Sequence, residues 1–174
     1  KRQVNDRKSP RLMLFMPPRH GKSTLASVAF PAWHLGKNPE HEFISCSYSG
    51  SLAMNFSRKV RQQLREPNYK NVFSGVSLDP SSQSVESWNT TKGGGYVAAG
   101  VGGGITGKGA HVLVIDDPVK NREDAESEYN RDSVWDWYTS TAYTRLAPGG
   151  GVLVILTRWH DDDLAGKLLS AAAG

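Results

Sequence analysis

The segment RLMLFMPPRHGKSTLASVAF, residues 11–30, constrains the fold more than any other stretch of the chain. Arg11–Phe15 reads as a buried strand, and Lys22–Leu35 has the spacing of a helix with one apolar face. Between them stands Gly21-Lys22-Ser23. A chain passing from strand to helix through such a turn points successive backbone N–H groups, and the positive end of the helix, at an anion. The lysine adds a point charge for phosphate oxygens, and the hydroxyl suits a divalent cation. The full pattern, G-x-x-x-x-G-K-[ST], asks for a glycine five residues before Gly21, and Met16 occupies that position.

The rest of the chain repeats the alternation. A strand is expected over Glu42–Ser47 and a helix over Leu52–Leu64, after which Pro67 ends the regular pattern. Two short strands follow, Ser84–Asn89 and Gly95–Val101, joined by a turn over Thr91–Gly94. The stretch GVGGGITGKG reads as a mobile loop. Then come the strand HVLVIDDP, an acidic helix from about Arg122 to Tyr143, the strand GVLVILT, and a helix opening at Asp161–Asp163. Strands alternating with helices predict an α/β fold, a mainly parallel sheet flanked by helices on both faces. At 174 residues the chain fits one domain, and its ends read as those of a piece cut from a longer polypeptide.

A single cysteine, Cys46, excludes an internal disulfide framework and suits a reducing compartment. No signal peptide is evident, and the apolar runs are strand-sized, so neither membrane insertion nor a membrane partner is expected. The net charge of +4 is unevenly placed: Lys1, Arg2, Arg7, Lys8 and Arg11 crowd the start, and Arg58, Lys59, Arg61 and Arg65 form a second cluster. Such clusters can hold a polyanion, although the runs alone read more readily as solvated faces.

The second constraint on function is VLVIDDP. A nucleotide-hydrolysing site needs one carboxylate for a metal and usually another to orient the attacking water. Asp116, at the strand end, fits the first role and Asp117 the second. Aspartates before Pro118 also suit a simple turn cap. Their pairing with the upstream Gly-Lys-Ser favours the catalytic reading.

MPPRHGKST, VLVIDDP and LTRWHDDDLAG, in this order and spacing, resemble the ATPase domain of the large terminase subunit, the DNA-packaging motor of tailed bacteriophages and their prophages. The likeness runs from Arg11 to about Leu169. It implies a P-loop NTPase of the ASCE/RecA-like type using ATP and Mg²⁺. In this family the loop often lacks its first glycine and carries an arginine just before the phosphate-binding turn, and Arg19 matches, as a cis arginine near the γ-phosphate. Pro18, Arg19, His20, Gly21, Lys22, Ser23 and Thr24 would form the nucleotide loop, with Lys22 on the phosphates, Ser23 on Mg²⁺ and Thr24 on a neighbouring oxygen. Asp116 would serve the metal and Asp117 the water, as a shorter arm than the family's frequent glutamate.

Thr157, with Arg158, Trp159 and His160, matches the motif that couples γ-phosphate loss to movement. Lys108, before Gly109, matches by position the basic residue that reaches a neighbouring subunit's ATP, but a lysine lacks the planar fork of an arginine, so Arg122, Arg131 and Arg145 stay open for that role. Adenine contacts are implied upstream of the first strand, where only Lys1–Pro10 stands. The His160–Asp163 run reads as helix capping rather than as a metal site.

The resemblance further implies double-stranded DNA, the portal of a procapsid and the small terminase subunit as partners, and a homo-oligomeric ring when assembled, with a monomer open for the isolated domain. It implies location in the host cytoplasm at the portal during packaging and absence from the mature virion. A C-terminal nuclease domain does not fit within these residues, so DNA cleavage is not expected. Two other classes share the motifs: a helicase-like or remodelling ATPase, and a nucleotide-gated binding or assembly module that has lost turnover, which Met16 and Asp117 keep open.

Overall fold

Strands β1 (Arg11–Phe15), β2 (Glu42–Ser47), β3 (Leu78–Gln83), β4 (Ser87–Thr90), β5 (Gly95–Gly100), β6 (Ala110–Asp116) and β7 (Leu146–Leu156) form one sheet in the order β1-β7-β6-β2-β5-β4-β3. The structure is a computed structural model and describes residues 9–173. The basic residues Lys1, Arg2, Arg7 and Lys8, and with them most of the segment expected to contact adenine, lie outside the described residues.

The neighbours from β1 to β5 pair in parallel, and β4 and β3 add an antiparallel edge. Helix α1 is π-helical over Thr24–Ala29 and α-helical over Phe30–Lys37; α2 is Gly50–Arg65, α3 Pro67–Val72, α4 Arg122–Glu126, α5 Glu128–Trp137 and α6 Leu164–Ala173. Among the described residues no helix is long and apolar enough to cross a membrane.

The side-chain alternation of the inner strands explains the layering. Phe43, Val112, Val114, Leu153 and Ile155 face α1 and α2, meeting Ala26, Leu35, Phe56 and Val60. Ile44, Cys46, Leu113, Ile115 and Val154 face the other way, against Val134 and Trp137 of α5 and Leu164 of α6. Each such fully buried aliphatic or aromatic side chain contributes roughly 1.5–3 kcal/mol. With both faces covered, β6 and β7 read as nearly continuous apolar runs. At the sheet edge, β1 leaves Leu12 and Phe15 exposed, and apolar grooves of about 430 and 340 Å³ run along it.

One topological fact positions the site. β7 lies between β1 and β6, so the first strand and the aspartate-bearing strand flank the strand that leads into Thr157. The registers align Phe15 with Leu156, and Asp116 with both Ile155 and Ser47. All these strands therefore deliver their C-terminal ends to the same side of the sheet.

Several elements differ from the sequence expectation. Pro67 starts the short helix α3 instead of ending regular structure, because its fixed φ and missing N–H suit a first helical turn. Strand β3, with Pro80, takes the free edge, where a proline costs no ladder bond. The strand expected over Ser84–Asn89 is confined to Ser87–Thr90. The acidic helix is broken at Ser127: Asn121 caps α4 by accepting from Asp124 N–H, and Ser127 caps α5 by accepting from Asn130 N–H. Strand β7 begins already at Leu146, with a register shift opposite β6.

Candidate functional site

The loop between β1 and α1 owes its shape to left-handed backbone at Arg19 (φ 62°) and Gly21 (φ 81°). Gly21 is suited to that conformation, and its carbonyl accepts from Leu25 N–H at 2.9 Å, starting the helix. Arg19 is not suited to it, and a non-glycine residue held there costs on the order of 1–3 kcal/mol. Met16 is not among the left-handed residues, so this loop makes no use of a glycine's freedom at that position. His20 Nδ1 lies 2.8 Å from the Pro18 carbonyl oxygen, bracing the turn. Arg19, His20 and Thr24 are exposed on it.

Lys22 points inward and is buried. Its ammonium lies 2.9 Å from Asp117 Oδ2 and donates to the Thr157 hydroxyl at 2.8 Å. Thr157 N–H donates to Asp117 Oδ1 at 3.1 Å, and the Thr157 hydroxyl lies 3.4 Å from the Met16 carbonyl oxygen. Three segments distant in sequence thus meet in one network. Asp117 is itself left-handed (φ 46°), and it is held so from both sides: its N–H donates to Ile155 O and its carbonyl accepts from Tyr48 N–H.

Asp116 is fully buried beneath this network. Ser27 donates to its Oδ2 at 2.6 Å, while Oδ1 is buried with no hydrogen-bond partner among the described residues. Burial pushes its pKa up; the hydroxyls of Ser27 and Ser23 oppose that shift, the Asp117 charge adds to it, and the Lys22 charge opposes it. A buried carboxylate oxygen without a partner, beside a serine hydroxyl, is a donor set that suits a hard divalent cation. Ser27 was not singled out by the sequence; it stands one helical turn after Ser23, and a hydroxyl on an otherwise apolar helix face is the signal that points to it.

The residues after Thr157 form a brace. Arg158 Nε pairs with Asp163 Oδ2 at 2.7 Å, its Nη2 donates to Asp161 O at 2.9 Å, and its guanidinium lies 5.5 Å from the Phe15 ring centre. Asp163 Oδ1 accepts from Gly166 N–H, capping α6. Gly166 is required, because a Cβ there would collide with the Asp161 carbonyl oxygen. Asp162 pairs with Arg131 and Lys167. The acids of this run thus serve as caps and ion-pair partners.

The candidates for a reach into a neighbouring subunit separate clearly. Arg131 is buried, donating to the carbonyls of Ala125 and Glu126 as well as to Asp162, so it is spent within its own chain. Lys108 and Arg122 are exposed, and Arg145 is half-buried. None of these three bonds to the Lys22–Asp117–Thr157 network among the described residues.

Residues 13–172 match the family described as terminase large subunit, T4likevirus-type, N-terminal. Among solved structures, the fold is similar to the large terminase of bacteriophage HK97, with a TM-score of 0.64 at 16% identity, covering 98% of this chain and 34% of that one. It is also similar to the large terminase of the thermophilic bacteriophage D6E, with a TM-score of 0.50 at 14% identity, covering 88% of this chain and 34% of that one. At these identities the likeness speaks for the fold, and the chain spans only 34% of the length of either structure. No curated protein matches it. Since the family's pattern extends over nearly every described residue, the chain belongs to the N-terminal family of T4likevirus-type terminase large subunits.

Proposed function

We propose that this chain hydrolyses ATP with Mg²⁺ and that the hydrolysis drives double-stranded viral DNA through a portal into a procapsid. The observation that carries the reading is the convergence of Lys22, Asp117 and Thr157 at a strand–loop–helix junction. Membership of the terminase family supports the packaging role. The same membership supports the small terminase subunit and further copies of this chain in a ring as partners, and the portal in the host cytoplasm as the place of work.

In this mechanism the backbone N–H groups of the loop and the Lys22 ammonium receive the β- and γ-phosphates. The phosphates take over the ammonium that Asp117 Oδ2 and the Thr157 hydroxyl share. Asp117 keeps the hydrogen bond from Thr157 N–H on Oδ1, and Oδ2 is freed to accept a proton from the attacking water. Arg19, exposed on the turn, offers its guanidinium to charge developing on the γ-phosphate. Ser23 and Asp116 would hold Mg²⁺, the former by its hydroxyl and the latter through the orphaned Oδ1. When bound, the ion supplies positive charge that neutralises the phosphate oxygens.

Departure of the γ-phosphate returns Lys22 to Asp117 and Thr157. That exchange reaches α6 through the Arg158–Asp163 pair and β1 through Phe15.

The test is ATP turnover by the intact polypeptide, with and without empty procapsid and linear duplex DNA, alongside Asp117→Ala and Arg19→Ala. Stimulation by both partners, lost in both variants, is the expected result. Turnover indifferent to procapsid would favour a helicase-like or remodelling ATPase. A binding or assembly module draws its one support from the Lys22–Asp117 ion pair, since a paired carboxylate is a poor base, and nucleotide binding without turnover would favour it.

A further inference from the structure

Helix α2 places Arg58, Arg61 and Arg65 along one outward face, at spacings where like charges repel. With Gln62 of the same helix and Val85, from the turn between β3 and β4, they line a cavity of about 350 Å³. Arg61 is half-buried, and its Nε is shielded from solvent without a hydrogen-bond partner among the described residues. Burial, and then the charges of Arg65 and Arg58, pulls its pKa down. Arg65 donates to Gln83 Oε1 at 2.5 Å, which fixes its guanidinium against β3. Among the described residues no carboxylate pairs with any of the three.

Three guanidiniums around one cavity, with one of them partly desolvated, gain nothing from each other. An anion that enters the cavity relieves the repulsion among them. Guanidinium forks match phosphate oxygens bidentately, and at about 30 Å³ per water the cavity has room for a phosphate group and its solvent. Its place near the β3–β4 edge sets it roughly 24–29 Å from β1 at about 4.8 Å per strand, beyond the reach of phosphates seated on the Lys22 loop. The apolar Val85 offers a surface for a sugar edge.

We propose that the Arg58–Arg61–Arg65 cavity binds phosphate groups of the double-stranded DNA backbone, independently of sequence. The identity of the polyanion rests on the packaging reading; the anion site rests on the cavity alone. The terminase motor would then hold its nucleotide at one edge of the sheet and its track near the other.

The test is fluorescence anisotropy of the intact chain with a labelled DNA duplex, between about 50 and 200 mM salt. It compares wild type, the combined Arg58→Gln, Arg61→Gln, Arg65→Gln variant, and a charge-matched control carrying Lys59→Gln, Lys70→Gln and Lys92→Gln. The cavity variant is expected to bind about tenfold or more weakly, and to lose about 0.9 from the slope of log affinity against log salt for each phosphate contact removed. The control is expected to change far less. Binding of a fluorescent ATP analogue and the melting temperature, measured on the same samples, confirm an intact fold.

Equal losses in both variants would overturn the proposal in favour of a diffuse basic surface, and absence of duplex binding by wild type would also overturn it. Inorganic phosphate that binds wild type but not the cavity variant, with duplex affinity equal in both, would assign the cavity to a free anion and overturn the DNA assignment. Loss of ATP binding across all samples would strike the hydrolysis reading and leave the cavity result standing.

Discussion

The two ends of the parallel sheet carry polar clusters of opposite character. At the C-terminal ends of the strands, Lys22, Asp117 and Thr157 sit among left-handed residues, above a carboxylate with an orphaned oxygen. At the N-terminal ends, His41 stacks on His111 with ring centres 4.2 Å apart, His34 Nε2 lies 2.9 Å from His41 Nδ1, and His111 Nδ1 accepts from Glu42 N–H. The first cluster is built on left-handed backbone at Arg19 and Asp117, whereas the second is ring packing that ties β2, β6 and α1 together without left-handed backbone. Polar content alone does not mark a site; backbone strain at the strand ends does.

The sharpest way to break this comparison is to delete one member of each cluster. Lys22→Ala is expected to lower ATP turnover by about 10²–10³-fold or more and to weaken binding of a fluorescent ATP analogue. His41→Ala is expected to leave turnover unchanged and to cost about 0.5–1.5 kcal/mol in chemical denaturation, the scale of a lost aromatic pair. If His41→Ala abolished turnover with the fold intact, the division between the two ends would fail.

Asp116→Asn sharpens it further. Burial raises the pKa of this carboxyl in the folded chain, so its ionisation opposes folding. The asparagine variant is therefore expected to be more stable at neutral pH, by about 0.5–2 kcal/mol, while losing turnover. The unfolded chain ionises first, so wild type loses stability as pH rises from the unfolded value, near about 4, to the raised folded one. The advantage of the variant should accordingly vanish in acid, which denaturation curves at two pH values will read.

Ser27→Ala is expected to act on turnover less than these and mainly on stability. It removes the hydroxyl that donates to Asp116 Oδ2, costing about 1.5–3 kcal/mol of stability, and Ser27→Thr should restore part of it. Smallest of all is the response of Cys46, whose thiol is buried and pushed up to about 12. Iodoacetamide at about pH 8 should leave it unmodified in the folded chain and alkylate it in denaturant, as mass spectrometry will show.

The strands that build the site were legible because their residues carry strong local signals. Glu42–Ser47 occupies its expected bounds, and the apolar run into Asp116 could only be an inner strand. Strand β3 was not legible, since LDPSSQ has neither alternation nor a β-branched residue and owes its pairing to β4. The break at Ser127 was hidden by acidic residues on both sides, which suit a continuous helix as well as two capped ones. Arg131 stays open in the sequence as a residue reaching a neighbouring subunit, until the helix break brings the carbonyls of Ala125 and Glu126 to its guanidinium. In the site, residue types and spacing pointed to Lys22, Asp116 and Asp117 and the family resemblance to Thr157, while the hold of Ser27 on Asp116 depends on how α1 lies over β6.

The place of β7 between β1 and β6 also dictates an order of assembly. Met16 and Thr157 stand 141 residues apart in the chain, yet they meet side by side. On a ribosome, the first strand and the aspartate strand emerge with a strand-wide gap between them, and both must wait with open edges until the last strand fills it. Contacts of such separation form late and slowly. The Lys22–Asp117–Thr157 network thus forms only after β7 has been made, and a ribosome stalled before β7 leaves a product without it.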